Sequence, residues 1–175
     1  MLMNLEEQIL QENSRANCDI IVKWVGASQK KFDQLFQLFL HGDSITTQRA
    51  GWPLSYAVQN HPQLIDKHFD SLLNNLTRTG MHNAVRRNTM RLLQDINIPE
   101  QYQGQAMDIA FNYIIDPKEK AAVKAFSLTV LENMLEEYPE IGPELKLVIE
   151  DQWENQTAAF HSRAKKILYR LEKKK

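Results

Sequence analysis

The 175-residue chain has one cysteine, Cys18, so it can form no internal disulfide and assemble no thiolate metal cluster of its own. No apolar run approaches the roughly 20 residues that a membrane-spanning helix needs, and no membrane partner is expected. The opening stretch, MLMNLEEQILQ, carries Glu6 and Glu7 where a secretory leader would be positive, which leaves the cytoplasm as the expected location. There is no Gly-rich phosphate loop, nucleophile elbow or paired-Cys motif, and the glycines fall mostly where helices should end. Five histidines are present, but none pairs with another and a carboxylate at ligand spacing. His61 and His68, seven apart with Asp66 between them, read as surface or interface histidines. Cys18, beside Ile20 and Ile21, reads as a small buried apolar residue. These absences lead to an expectation of no catalytic residue, no metal and no cofactor.

What is present is helix. A composition of 43% hydrophobic and 25% charged residues is that of an ordinary globular chain, long enough for one domain that buries about 70% of its unfolded surface. The clearest stretch runs from Asp116 to Met134. Asp116 and Pro117 suit a helix start, and Val123, Phe126, Val130, Leu131 and Met134 then recur at three- and four-residue steps along one face. Within it, Lys124-Ala125 is a basic residue followed by a small one. Arg15-Ala16, Arg49-Ala50, Arg87-Asn88 and Arg163-Ala164 repeat that step at intervals of 34, 38, 37 and 39 residues. A near-constant interval in this range marks an array of stacked helix pairs, each unable to bury its apolar face alone.

The layers follow in order. Leu2 to Val25 reads as one or two helices, with Leu5, Ile9, Ile20, Ile21, Trp24 and Val25 as the apolar set, and Gly26 as the break. Ser28 opens a helix to Leu40 with Phe32, Leu35, Phe36 and Phe39 on one side, and Gly42 closes it. Its pair starts at Asp43 or Ser44 and contains Pro53, which predicts a kink. Leu64 to Leu76 and Asn83 to Ile96 form the third pair. Gln101 to Ile115, through Met107, Ala110, Phe111 and Ile114, packs on a helix from Lys118 to Tyr138. Glu144 to Asn155 and Ala158 to Leu171 complete the set. Trp52 and Trp153 read as core aromatics, and no alternating strand pattern occurs.

The steps Val123-Lys124-Ala125 and Val85-Arg86, with Gln48-Arg49-Ala50 and Ser162-Arg163-Ala164 as degenerate forms, resemble the opening of the second helix of HEAT repeats. Asp43, six positions before Arg49, keeps the offset at which such repeats ladder an Asp to the basic residue. The resemblance spans nearly the whole chain. It implies an all-α fold, a right-handed α-α superhelix of about four helical pairs forming one domain over residues 1–175, with an N-terminal cap over 1–26 and a basic tail at 172–175.

Charge is unevenly placed although its net value is −1. From Ser71 to Gln94 there is no acidic residue, while Arg78, Arg86, Arg87 and Arg91 fall there beside His82. From Ala125 to Ser162 eight acidic residues face Lys146 alone, and from Arg163 to Lys175 seven basic residues face Glu172. The second helices of such an array line its concave side, so Arg49, Trp52, Tyr56, Arg86, Arg87, Arg91 and Lys124 form the expected partner-binding surface. Forked arginine donors suit carboxylate or phosphate, and the aromatics supply contact area. The expected function is a non-enzymatic interaction scaffold that takes an acidic protein or peptide; charge segregation is also compatible with a homo-oligomer. Nucleic acid is the alternative partner, through resemblance to HEAT-like alkylpurine DNA glycosylases, in which Trp52, Tyr56, Arg49, Arg87 and Arg91 would supply stacking and phosphate contacts. A pI near 6.5 argues against it. A third reading, an all-α lyase of the fumarase and adenylosuccinate lyase type, lacks that superfamily's Gly-Ser-x-x-Met-Pro-x-Lys-x-Asn loop.

Overall fold

Side chains set the helix starts of the first half. Asn4, Ser14, Ser28 and Asp43 are held in extended backbone, and each accepts a hydrogen bond from the amide three residues on, at Glu7, Asn17, Lys31 and Thr46. Each cap satisfies one of the donors that a helix N-terminus leaves without an intrahelical partner. In the computed structural model, which describes residues 3–173, these starts and their downstream counterparts give α1 (Leu5–Gln11), α2 (Arg15–Val25), α3 (Gln29–His41), α4 (Ser44–Asn60), α5 (Phe69–Asn75), α6 (Asn83–Leu93), α7 (Glu100–Ile115), α8 (Ala121–Met134), α9 (Gly142–Gln152) and α10 (Ala158–Lys173). Among the described residues there is no strand, and the chain is all-α. Lys174 and Lys175 of the expected tail, and Leu2 of the expected first layer, lie outside the described residues.

The helices fall into two compact units, Met1–Ile96 and Asn97–Lys175. In the first, α2, α4 and α6 pack in succession, and α3 lies against α4. Phe32, Leu35, Phe36 and Phe39 of α3 meet Leu54 and Val58 of α4 in a fully buried core. Burying one such side chain stabilises by about 1.5–3 kcal/mol, so truncating Phe36 to alanine would cost about 3–5 kcal/mol. In the second unit α8 packs between α7 and α10, and Ile114, Val123, Leu128, Leu131, Phe160 and Ile167 form the core. Adjacent helical pairs are thus the building block in both, as the HEAT-like reading expects.

The sequence interval reappears as bonding distance along the chain. In the first unit Lys67 reaches Asp33 at 2.7 Å, Arg78 donates to the Leu40 carbonyl at 3.1 Å and Arg91 to the Tyr56 hydroxyl at 2.6 Å. In the second, Tyr138 donates to Gln103 at 2.6 Å, Arg163 to Thr129 at 3.1 Å and Arg170 to the Glu132 carbonyl at 3.2 Å. Every one of these pairs is separated by 34 to 38 residues. Within each unit, successive hairpins are therefore tied by polar bonds as well as by their apolar faces.

The short α1 is held by its neighbour. Asn17 of α2 is buried; its amide nitrogen donates to the Gln8 and Glu12 carbonyls at 2.8 Å, and its oxygen accepts from the Gln8 side chain at 2.6 Å. Cys18 beside it is 2% exposed, and burial pushes its thiol up to about 11, as suits an inert packing residue.

Several local expectations are corrected. Asp116 does not open a helix: it follows α7, and its carboxylate accepts from the Lys118 amide at 2.8 Å, closing a turn through Pro117. The helix starts at Ala121 instead. The segment read as one helix from Leu64 to Leu76 is a 3-10 helix, Pro62–His68, running into α5. Asp43 gives its carboxylate to the start of α4, bonding the Thr46 amide at 2.7 Å, and makes no ladder to Arg49. Pro53, by contrast, lies inside the one helix α4, as expected. Ile20, assigned to the apolar set, is 50% exposed, and Trp52 and Trp153 are half-buried outside the core.

Candidate partner-binding face

The outward side of α4 is set by helical spacing: Arg49, Trp52 and Tyr56 follow at three- and four-residue steps and are all half-buried. On the opposite side of the same helix, Gly51 faces Asn88 of α6 so closely that a Cβ there would come 2.6 Å from the Asn88 amide nitrogen. That approach brings α6 near enough for Arg91 to reach across to Tyr56.

Tyr56 is the centre of the face. The Arg91 guanidinium lies 4.7 Å from its ring centre, and the Arg15 guanidinium, from α2, lies 4.4 Å from it. Two cations thus flank one ring, each drawn to its electron-rich face. Burial pushes the Tyr56 hydroxyl up, but the charges of Arg91 and Arg15 and the hydrogen bond donated by Arg91 draw it down, and the net shift is downward. Trp52 stands 6.5 Å from the Tyr56 ring, centre to centre. Arg15 is also paired with Asp19 at 2.9 Å, an exposed and therefore weak interaction.

The remaining basic residues differ in availability. Arg87 is exposed and, among the described residues, makes no hydrogen bond or ion pair. Arg49 is anchored to the Leu10 carbonyl at 2.7 Å. Arg86 turns back along its own segment to the Asn83 side chain and the Met81 carbonyl. Lys124 belongs to the second unit and is 3% exposed, with its ammonium bonded to Gln152 at 3.2 Å; burial pulls its pKa down against the pull of Asp116 and Glu119. Arg15 was absent from the expected surface, although its position one interval before Arg49 was the signal that could have placed it there.

Chemically, this side of the first unit offers planar donors and aromatic area, an arrangement suited to non-covalent recognition of anionic groups. Among the described residues no group of three or more His, Cys, Asp and Glu side chains could hold a metal ion. No described helix is long and apolar enough to cross a membrane.

No curated protein and no solved structure matches the chain. The family model of the HEAT repeat domain matches residues 5–171. With the match running across almost every helix described above, and with hairpins bonded one interval apart, the chain belongs to the HEAT repeat domain family.

Proposed function

We propose that the chain is a non-enzymatic interaction module that takes an acidic protein segment on the side of the first unit carrying Arg15, Arg49, Trp52, Tyr56, Arg87 and Arg91. Membership of the HEAT repeat family already indicates a protein-interaction scaffold role. The observation that carries the finer reading is Tyr56 flanked by two guanidinium groups, with the unpaired Arg87 one helical turn from Arg91. Arg91 and Arg15 are already ordered on the ring, so a carboxylate that meets them imposes little further loss of side-chain freedom. Trp52 and Tyr56 supply the desolvated area on which such contacts gain strength. Lys124, buried in the second unit, is left out of this surface.

The test is fluorescence anisotropy with a labelled Glu-rich peptide containing one aromatic residue, against the full chain at physiological salt. Arg87→Glu should weaken binding by about tenfold or more, because a hydrogen bond to a charged group contributes about 1.5–3 kcal/mol. Unchanged affinity would remove this face from consideration. A duplex DNA probe run alongside decides the alternative: tighter binding to duplex, falling steeply with salt, would favour a nucleic-acid partner.

A further inference from the structure

A second site lies within the second unit, away from the residues used above. A pocket of about 500 Å³, open to solvent, is lined by Leu135, Pro139, Gly142, Pro143 and Leu171, with Lys146 and Arg170 also in its wall. Its volume is within the range of about 300–1,000 Å³ in which proteins hold small ligands. Leu135 is 2% exposed and Leu171 is half-buried, while Pro139 and Pro143 are exposed and the Lys146 and Arg170 side chains are 42% and 33% exposed, so Leu135 lies deepest and the prolines and the two cations reach solvent. Gly142 keeps one wall tight, since a Cβ there would come 2.9 Å from Leu171 Cδ2.

Both cations keep donors beyond their structural contacts, although Arg170 also ties its helix to the Glu132 carbonyl. Among the described residues Lys146 is paired only with Glu150, at 3.7 Å and one turn away on its own helix. Arg170 donates one bond to the Glu132 carbonyl and stands 3.8 Å from Glu136, whose side chain is 83% exposed. Exposed pairs at such distances contribute little, and a better-placed anion can replace them. The exposed Glu140 and Glu144 of the same segment are not in the cavity wall.

We infer that this cavity binds a small amphiphilic carboxylic acid, its aliphatic body against Leu135, Pro139, Pro143 and Leu171 and its carboxylate between Lys146 and Arg170. The apolar wall selects the body by removing it from water, and the paired cations select the sign of the head. An amphiphile with a neutral head leaves both cations unpaired, and a cationic head is repelled.

Decanoate, decanol and decyltrimethylammonium are the probes, titrated into the full chain while the methyl resonances of Leu135 and Leu171 are followed by NMR. Decanoate should give saturable shifts at both residues, and the other two should bind at least about tenfold more weakly, the loss expected for a charge-assisted contact. Lys146→Glu should weaken decanoate by a similar factor. Leu171→Trp, which fills the cavity without altering charge, should abolish saturation. Arg170→Gln also removes the bond to the Glu132 carbonyl, so Lys146→Gln serves as the second charge variant. Equal binding of all three probes, no saturable shift, or decanoate binding that survives both Lys146 variants would overturn the assignment.

Discussion

Arg91 and Tyr56, 35 residues apart in the chain, are joined twice: by a 2.6 Å hydrogen bond from guanidinium to hydroxyl, and by the placement of that guanidinium 4.7 Å from the ring centre. The two contacts can be separated by mutation. Tyr56→Phe keeps the ring and loses only the bond, so it should cost about 0.5–1.5 kcal/mol, whereas Tyr56→Ala loses both and should cost more. Urea denaturation of the two variants checks the order; equal losses would mean that the ring contact contributes nothing.

Two glycines in helix interiors should respond to alanine with opposite sign. At Gly51 the added Cβ would lie 2.6 Å from the Asn88 amide nitrogen and 3.0 Å from its Cβ, closer than real atoms pack. Overpacking of this kind costs about 1–3 kcal/mol and exceeds the gain of up to about 1 kcal/mol from helix propensity. At Gly104 of α7 nothing lies within 4 Å, so Gly104→Ala should stabilise by about 0.5–1 kcal/mol. Thermal denaturation of both variants measures the contrast.

Acid should weaken the first unit through Asp33. Burial pushes this carboxyl up, but hydrogen bonds from Lys67, Gln29 and His68, together with the Lys67 charge, outweigh it and hold the carboxyl down at about 2. The folded value is thus below the unfolded value of about 3.9. Its contribution is present in full above about pH 4 and is lost as pH falls toward about 2. Lys67 is half-exposed, so solvent screening keeps the effect small. Asp33→Asn should flatten the decline of the urea midpoint between pH 4 and pH 2; an unchanged slope would remove Asp33 as its source.

The helix pairs were legible because the interval between Arg15, Arg49, Arg87, Lys124 and Arg163 is the distance at which the hairpins bond one another. The roles of those five residues were not legible, because an interval fixes position along a helix without fixing what the side chain meets. Arg15 finds the Tyr56 ring, Arg49 a carbonyl, Arg163 Thr129 and the Phe126 ring, and Lys124 the half-buried Gln152, while Arg87 finds solvent. The start of α8 was misplaced for a related reason. Asp followed by Pro is equally good chemistry for a helix cap and for a turn, and only the amide that Asp116 accepts from, that of Lys118, decides between them. Of the candidate face, Tyr56 and Arg91 could be named from spacing; their contact with Arg15 depends on how α2 lies against α4.

The clamp from Asn17 has a thermodynamic consequence for the first seven-residue helix. A peptide of that length is far too short to hold helical shape by itself in water. Its amide protons are therefore shielded only while the helices that hold it, α2 and α4, are intact, and it must lose protection against deuterium together with them, as one cooperative opening rather than as a fraying end.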